Sequence, residues 1–281
     1  MSETPDDAPS ISGPAPPNTW TLGYAEEAPG GMKCVAERSL SDGEYERYHE
    51  AVSFVLDRKD QASLKLVIGN KNYSSWSMRP WLALKANHIA FEEIFIPLYT
   101  GDTDKKRILG FTQSGKVPAL LDDDVTIWDS LAIIEYAAER FPQTRLWPED
   151  RASRAHARSI SAEMHSGFAA LRNECGMNLH RPVGAIKLSA DARADIARIQ
   201  QIWIECRERY GKSGPFLFGA FGGADAMFAP VVHRFRTYAI EVAPEARHYM
   251  DTMMSLPAFQ EWTSAGLAET LVIEKFETAS A

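Results

Sequence analysis

The apolar positions of this chain change their period along its length, and the changes divide it into three parts. Residues 1–31 follow neither a helical nor a strand period. They hold six prolines and five acids but no Lys or Arg, a composition that predicts a mobile segment. Further on, Ser41 and Glu44 have capping-box spacing, and Tyr45, Tyr48, Val52, Val55 and Leu56 recur at helical spacing, predicting a helix over about 42–57. From Leu64 short apolar runs alternate with helical stretches. Leu64–Gly69 reads as a strand, Ser77–Asn87 as a helix, Phe91–Ile96 as a strand ending in Pro97, and Asp102–Leu109 as a short helix. Val117–Leu121 and Val125–Trp128 read as strands joined by the acidic turn Asp122-Asp123-Asp124. Leu131, Ile134, Ala138 and Phe141 then mark one face of a helix that starts near Ser130. The order is β-α-β-α-β-β-α. Its first half predicts a parallel βαβ pair, and the close β-β step an antiparallel hairpin.

Pro142–Pro148 reads as a linker, and beyond Arg151 the period is helical throughout. Ala155, Ile160, Met164, Phe168 and Leu171 predict one long helix, and Ile196, Ile199, Ile202 and Trp203 another. A glycine-rich loop, Gly211–Gly223, precedes Ala224–Val232, which opens an unusually apolar helix and so reads as central in a bundle. An extension over 1–63 therefore precedes an α/β domain over 64–144 and an all-helical domain over 151–276.

Composition narrows the function classes. The 281 residues are 45% hydrophobic, which is ample for a core. A net charge of −8, a pI near 5.5 and no basic tract argue against nucleic acid as a partner. No run of ~18 apolar residues exists, which argues against a membrane span. The start, Met1-Ser2-Glu3-Thr4-Pro5-Asp6-Asp7, lacks the regions of a signal peptide. Cys34, Cys175 and Cys206 are odd in number, far apart and without metal-ligand spacing, which fits a reducing cytoplasm and no metal; Cys175 and Cys206 read as structural thiols.

Candidate chemistry collects at strand-helix junctions. Ser74 and Ser75 stand where the first strand hands over to a helix, where unpaired N–H groups and the positive dipole end converge. A hydroxyl there caps the helix or donates to a bound anion: a phosphate, a carboxylate or a thiolate. In Ser114-Gly115-Lys116-Val117-Pro118, a proline opens a strand. It is either an ordinary trans proline on an edge or a cis one that frees the Val117 backbone to pair with an extended ligand. In Trp128-Asp129-Ser130, Ser130 is placed to cap the next helix or bind a carboxylate, and Asp129 is a lone acid or the partner of an ammonium. Together the last two would recognise an α-amino-acid end. His165 and His180 have no partner spacing and carry no assigned role.

In this order and spacing the chain resembles the glutathione transferase superfamily from about Leu64 to Phe276. The matching pieces are Ser74-Ser75-Trp76-Ser77-Met78-Arg79, Gly115-Lys116-Val117-Pro118-Ala119-Leu120, Asp129-Ser130-Leu131-Ala132-Ile133-Ile134-Glu135-Tyr136 and Ala224-Asp225-Ala226-Met227-Phe228-Ala229-Pro230. The resemblance implies a thioredoxin-like α/β N-terminal domain plus an all-α C-terminal domain, the glutathione transferase fold. It implies glutathione as co-substrate, a small electrophilic acceptor of apolar character, and a two-fold homodimer. By it, Ser74 hydrogen-bonds the glutathione sulfur and stabilises the thiolate, with Ser75 a second donor. Val117 beside Pro118 pairs with the cysteinyl backbone, Asp129 and Ser130 hold the γ-glutamyl end, and Lys116 meets the glycyl end. The acceptor lies against the first long helix of the second domain, near Met164, Phe168, Leu171 and Arg172. The serine motif is most similar to the zeta class, which includes maleylacetoacetate isomerases; Trp76 stands where that class carries cysteine. Gly222 stands where the superfamily has a Ser or Thr cap before Ala224-Asp225. A glutathione-dependent isomerase or peroxidase, and a transferase-fold binding protein without turnover, are the competing readings.

Overall fold

The computed structural model describes residues 20–28, 31–40 and 64–277, in two compact units, Met1–Asp60 and Gln61–Ala281. In the first unit, β1 (Trp20–Ala28) and β2 (Gly31–Leu40) pair antiparallel, from Trp20 opposite Leu40 to Ala28 opposite Gly31. The register shifts between Tyr24 and Ala25. Residues 20–28 form a strand where the sequence reading assigned no element. Composition hid it, although Trp20, Thr21 and Tyr24 are strand-favouring residues and Pro-Gly is a turn dipeptide in sequence. The helix expected over 42–57 lies outside the described residues.

The second unit opens with β3 (Leu64–Ile68), α1 (Ser75–Ala86), β4 (Glu92–Phe95), α2 (Asp102–Leu109), β5 (Ala119–Asp122), β6 (Val125–Trp128) and α3 (Ser130–Arg140). Strand order is β4-β3-β5-β6. β3 and β4 are parallel, and the β3–β5 and β5–β6 pairs are antiparallel, as the crossover and the short acidic turn require. Alternation along β3 explains its two faces. Leu64, Leu66 and Ile68 pack with Met78, Trp81, Leu82, Ile133 and Ile134 from α1 and α3, while Val67 meets Ile96 and Ile108 on the side of α2.

The helical half comprises α4 (Arg151–Ser166), α5 (Ala169–Glu174), α6 (Ala190–Tyr210), α7 (Gly223–Thr237), α8 (Pro244–Ser255), α9 (Pro257–Leu267) and α10 (Glu274–Glu277). The single helix expected through Leu171 is two. Gly167 ends α4 with extended backbone, and Phe168 turns left-handed at φ 58° before α5. The apolar period runs through the break because Phe168 and Leu171 remain buried on the same side. The segment 142–148 is no free linker either, since Leu146 and Trp147 are packed into the core. α7 is buried almost all round, as its composition predicts. Gly222 offers no side chain to its N-terminus. Asp225 compensates by accepting from the N–H groups of Gly222 and Leu217 and from the Tyr249 hydroxyl. Trp203 on α6 is wedged among Phe228, Phe235 and Tyr249.

The two halves of this unit are sewn together around the loop before α1. The Asn72 side-chain oxygen accepts from the N–H groups of Leu179 and His180, and Glu269 accepts from those of Lys71 and Asn72. Tyr73 donates its hydroxyl to Glu277, receives the N–H of Ile273 and lies against the Phe276 ring.

Candidate active site

The loop 69–74 and the first turn of α1 place the serine pair. Tyr73 and Ser74 donate their N–H groups to the Asn70 carbonyl, a turn that sets Ser74 at the N-cap of α1. Its oxygen accepts the Ser77 N–H at 3.4 Å, and its hydroxyl donates to Ser77 Oγ at 2.8 Å. Ser77 Oγ also accepts from Gly69 N at the strand end, so the two hydroxyls lock strand to helix. Ser75 faces the other half, and its oxygen accepts from an Arg234 nitrogen at 3.2 Å.

The Val117–Pro118 bond is cis, the form the sequence left open. Lys116 is exposed, Val117 half-buried and Pro118 buried. One junction further, Asp129, not Ser130, caps the helix. Its Oδ1 accepts from Leu131 N at 2.9 Å and Ala132 N at 3.4 Å, with its backbone at φ 77°. The carboxylate reaches two and three residues on because Asp is an effective cap, and Ser130 becomes the first helical residue. Ser130 is fully buried, and its hydroxyl has no hydrogen-bond partner. A buried hydroxyl without a partner is costly.

The second Asp129 oxygen is taken by a residue to which the sequence gave no role. His165 Nε2, on the last turn of α4, donates to Oδ2 at 2.7 Å. The His165 ring also meets Trp76 edge-on, with centroids 5.2 Å apart. Trp76 is the hub of a cationic cluster: the Arg79 guanidinium lies 4.3 Å from its ring centre and that of Arg172 5.4 Å. Arg79 and Arg234 are buried and Arg172 is half-buried. Among the described residues none of these three arginines is ion-paired with a carboxylate; they are held by carbonyls. Arg79 donates to Met227 O, Arg172 to the carbonyls of His165 and Gly167, and Arg234 to those of Cys175 and Arg172. One terminal nitrogen of Arg79, Nη1, has no partner at all. Burial, then the neighbouring Arg172 and Arg234 charges, bring Arg79 down to about 9, while Asp129 works the other way. Burial and Arg172 bring Arg234 down to about 10, and burial lowers Arg172 as well. The Arg172 charge thus disfavours protonation of both Arg79 and Arg234, and that of Arg234 disfavours it at Arg79.

The expected acceptor residues divide. Met164, Phe168 and Leu171 are packed in the helical core, whereas Arg172 faces Trp76. Burial pushes Cys175 up to about 11 and Cys206 to about 12, so neither is a ready nucleophile. His180 is exposed and bonds the Leu267 carbonyl.

A sequence model of the glutathione S-transferase N-terminal domain matches residues 73–140, and one of its C-terminal domain matches residues 155–265. The chain belongs to the glutathione S-transferase family. Its similarity to the maleylacetoacetate isomerase of Rattus norvegicus is 30% identity over 196 residues, 66% of this chain and 85% of that protein. To glutathione S-transferase Z2 of Arabidopsis thaliana it is 28% over 212 residues, 71% of this chain and 90% of the other. Among solved structures, a glutathione transferase homologue from Burkholderia BGR1 with bound glutathione superposes with a TM-score of 0.55 at 24% identity, over 73% of this chain and 99% of that one. Ure2p in complex with glutathione gives 0.57 at 19%, over 72% and 99%. These two likenesses speak for the glutathione transferase fold, a thioredoxin-like half followed by a helical half. Within this glutathione transferase, Asn70, Asn72, Ser77, Arg79, His165 and Arg234 are polar groups around the serine loop that sequence reasoning left without roles. Arg79 stood inside the serine motif; Arg234 carried no local signal.

Proposed function

We propose that this chain is a glutathione-dependent enzyme whose acceptor carries a carboxylate. Asp129 and Ser130 take the γ-glutamyl end, Val117 beside Pro118 pairs with the cysteinyl backbone, and Lys116 meets the glycyl end. The Ser74 hydroxyl turns from Ser77 toward the sulfur. With the N-terminus of α1 it favours thiolate over thiol, lowering the sulfur pKa from its ordinary ~8.5. The thiolate then attacks an electrophilic carbon held beside it. Proximity and preorganised donors supply the rate.

The arginine cluster around Trp76, with its unpartnered Arg79 Nη1, carries the choice of acceptor. It departs from the apolar acceptor that the resemblance implied. A carboxylate there would accept charge-assisted hydrogen bonds and offset the repulsion among the guanidinium groups. The test is to compare one electrophile as its free acid and as its methyl ester. For Arg172→Leu, KM for the acid should rise roughly 10–100-fold, the worth of one charged hydrogen bond, with the ester little changed. Equal losses on both would defeat the acidic-acceptor reading.

A second reading has a specific observation behind it: relatives of this chain are named maleylacetoacetate isomerase. In a glutathione-dependent cis-trans isomerisation the thiolate adds to a double bond, the resulting carbon–carbon single bond rotates, and elimination re-forms the double bond and returns the thiolate. Titrating free thiol during turnover separates the two, since transfer consumes glutathione and isomerisation does not. A two-fold dimer in a reducing cytoplasm completes the proposal. It is supported by the family and by free Cys175 and Cys206.

A further inference from the structure

Asp129 is the acid whose charge favours protonated Arg79, and both of its oxygens are engaged. Oδ1 serves the backbone of α3. Oδ2 serves His165, which reaches across from α4. The side that would face an incoming ammonium is therefore occupied by an imidazole from the other half of the unit. His165 is fixed there: Arg172 grips its carbonyl and that of Gly167, and Trp76 abuts its ring. Its charged neighbours are Asp129 from the β6–α3 junction and Arg172 from α5; behind Trp76 lies Arg79 from α1. All but Asp129 are cations, so a protonated imidazole depends on that one carboxylate.

We propose that His165 is a positioning residue of the glutathione site, the rival of the ligand's ammonium for the Asp129 carboxylate. Neutral His165 hydrogen-bonds Asp129 and holds it in place for the ligand. Protonated His165 neutralises Asp129 and repels the ammonium. Glutathione binding therefore expels a proton from His165, and by linkage added protons weaken binding. This inference rests on the placement of the γ-glutamyl end at Asp129 and Ser130.

The test is calorimetric titration of the full chain with S-methylglutathione, whose blocked sulfur cannot ionise, from about pH 5.5 to 8. Intact protein, Asp129→Asn and His165→Gln are compared, each in two buffers of different ionisation enthalpy to count protons. The intact protein should bind about tenfold more weakly at the acid end and release protons there. His165→Gln keeps a donor but no titrating charge, so its affinity should be flat with pH. No binding to the intact protein, or undiminished binding to Asp129→Asn, would refute the site placement and this inference with it. Weakened binding to Asp129→Asn, with His165→Gln following the intact protein's pH profile, would refute the role of His165 alone. Affinity that rises toward acid and depends on His165 would also overturn it, assigning the imidazole to the ligand's carboxylate.

Discussion

His233 shows how a single side chain couples this fold to pH. It lies on α7 with its ring stacked on Phe259 at 4.3 Å, and Thr263 gives its own proton to the Phe259 carbonyl. The imidazole must therefore donate from Nε2 to Thr263, and burial lowers its pKa to about 3. The unfolded chain takes that proton near the ordinary value of ~6.5, so unfolding is favoured as pH falls between the two values. Asp225 acts in the opposite sense. Burial raises it to about 6, so its contribution to stability is complete below the ordinary carboxyl value and lost as pH rises toward 6. A His233→Phe variant keeps the stack and removes the titration. Urea midpoints at about pH 7 and pH 4.5 should fall further apart in the natural protein than in the variant. Equal shifts in both would mean that His233 is protonated in the folded state. At this scale the sequence was informative wherever chemistry is local. Ser74, Asp129 and Ser130 announce themselves at strand-helix junctions. His165 and Arg234 do not, because their partners Asp129 and Ser75 are 36 and 159 residues away along the chain.

Elements were legible in proportion to their periodicity. Asp102–Leu109 and Val125–Trp128 match their expected bounds, and the other strands and helices of the α/β half fall within about two residues of theirs, the usual spread at element ends. The break between α4 and α5 was invisible because burial continues across it. Its cause is geometric. A Cβ at Gly167 would stand 2.8 Å from the Glu163 carbonyl oxygen, and the Gly167 carbonyl is one that Arg172 grips. Gly167→Ala should cost about 1–2 kcal/mol of stability. It should also weaken glutathione binding, since the same turn aims His165 at Asp129. Thermal melting with a binding titration would check this; a variant that melts lower but binds normally would uncouple the break from the site.

At the scale of the whole molecule, packing accounts for what periodicity could not supply. The helical half was readable as helical, with Arg172 expected beside the acceptor, but not that Arg234 and His165 would reach Ser75 and Asp129 of the α/β half. The composition of 1–31 concealed a hairpin for the same reason: pairing is a relation between segments, and a residue count does not report it.

The tie between Tyr73 and the final turn has a practical consequence. Glu277 accepts from Tyr73 and from the Asn178 amide, and Tyr73 immediately precedes Ser74. The tail is thus a latch on the loop before α1, and whatever pulls on the tail reaches Ser74. Enzymatic trimming back to Val272, or a bulky fusion at that end, should reduce glutathione affinity well before it lowers the melting temperature. Digestion by a carboxypeptidase, sampled for both properties, would show affinity falling first; simultaneous loss would mean that the tail only supports the fold. An affinity handle for purifying this enzyme therefore belongs at the other terminus.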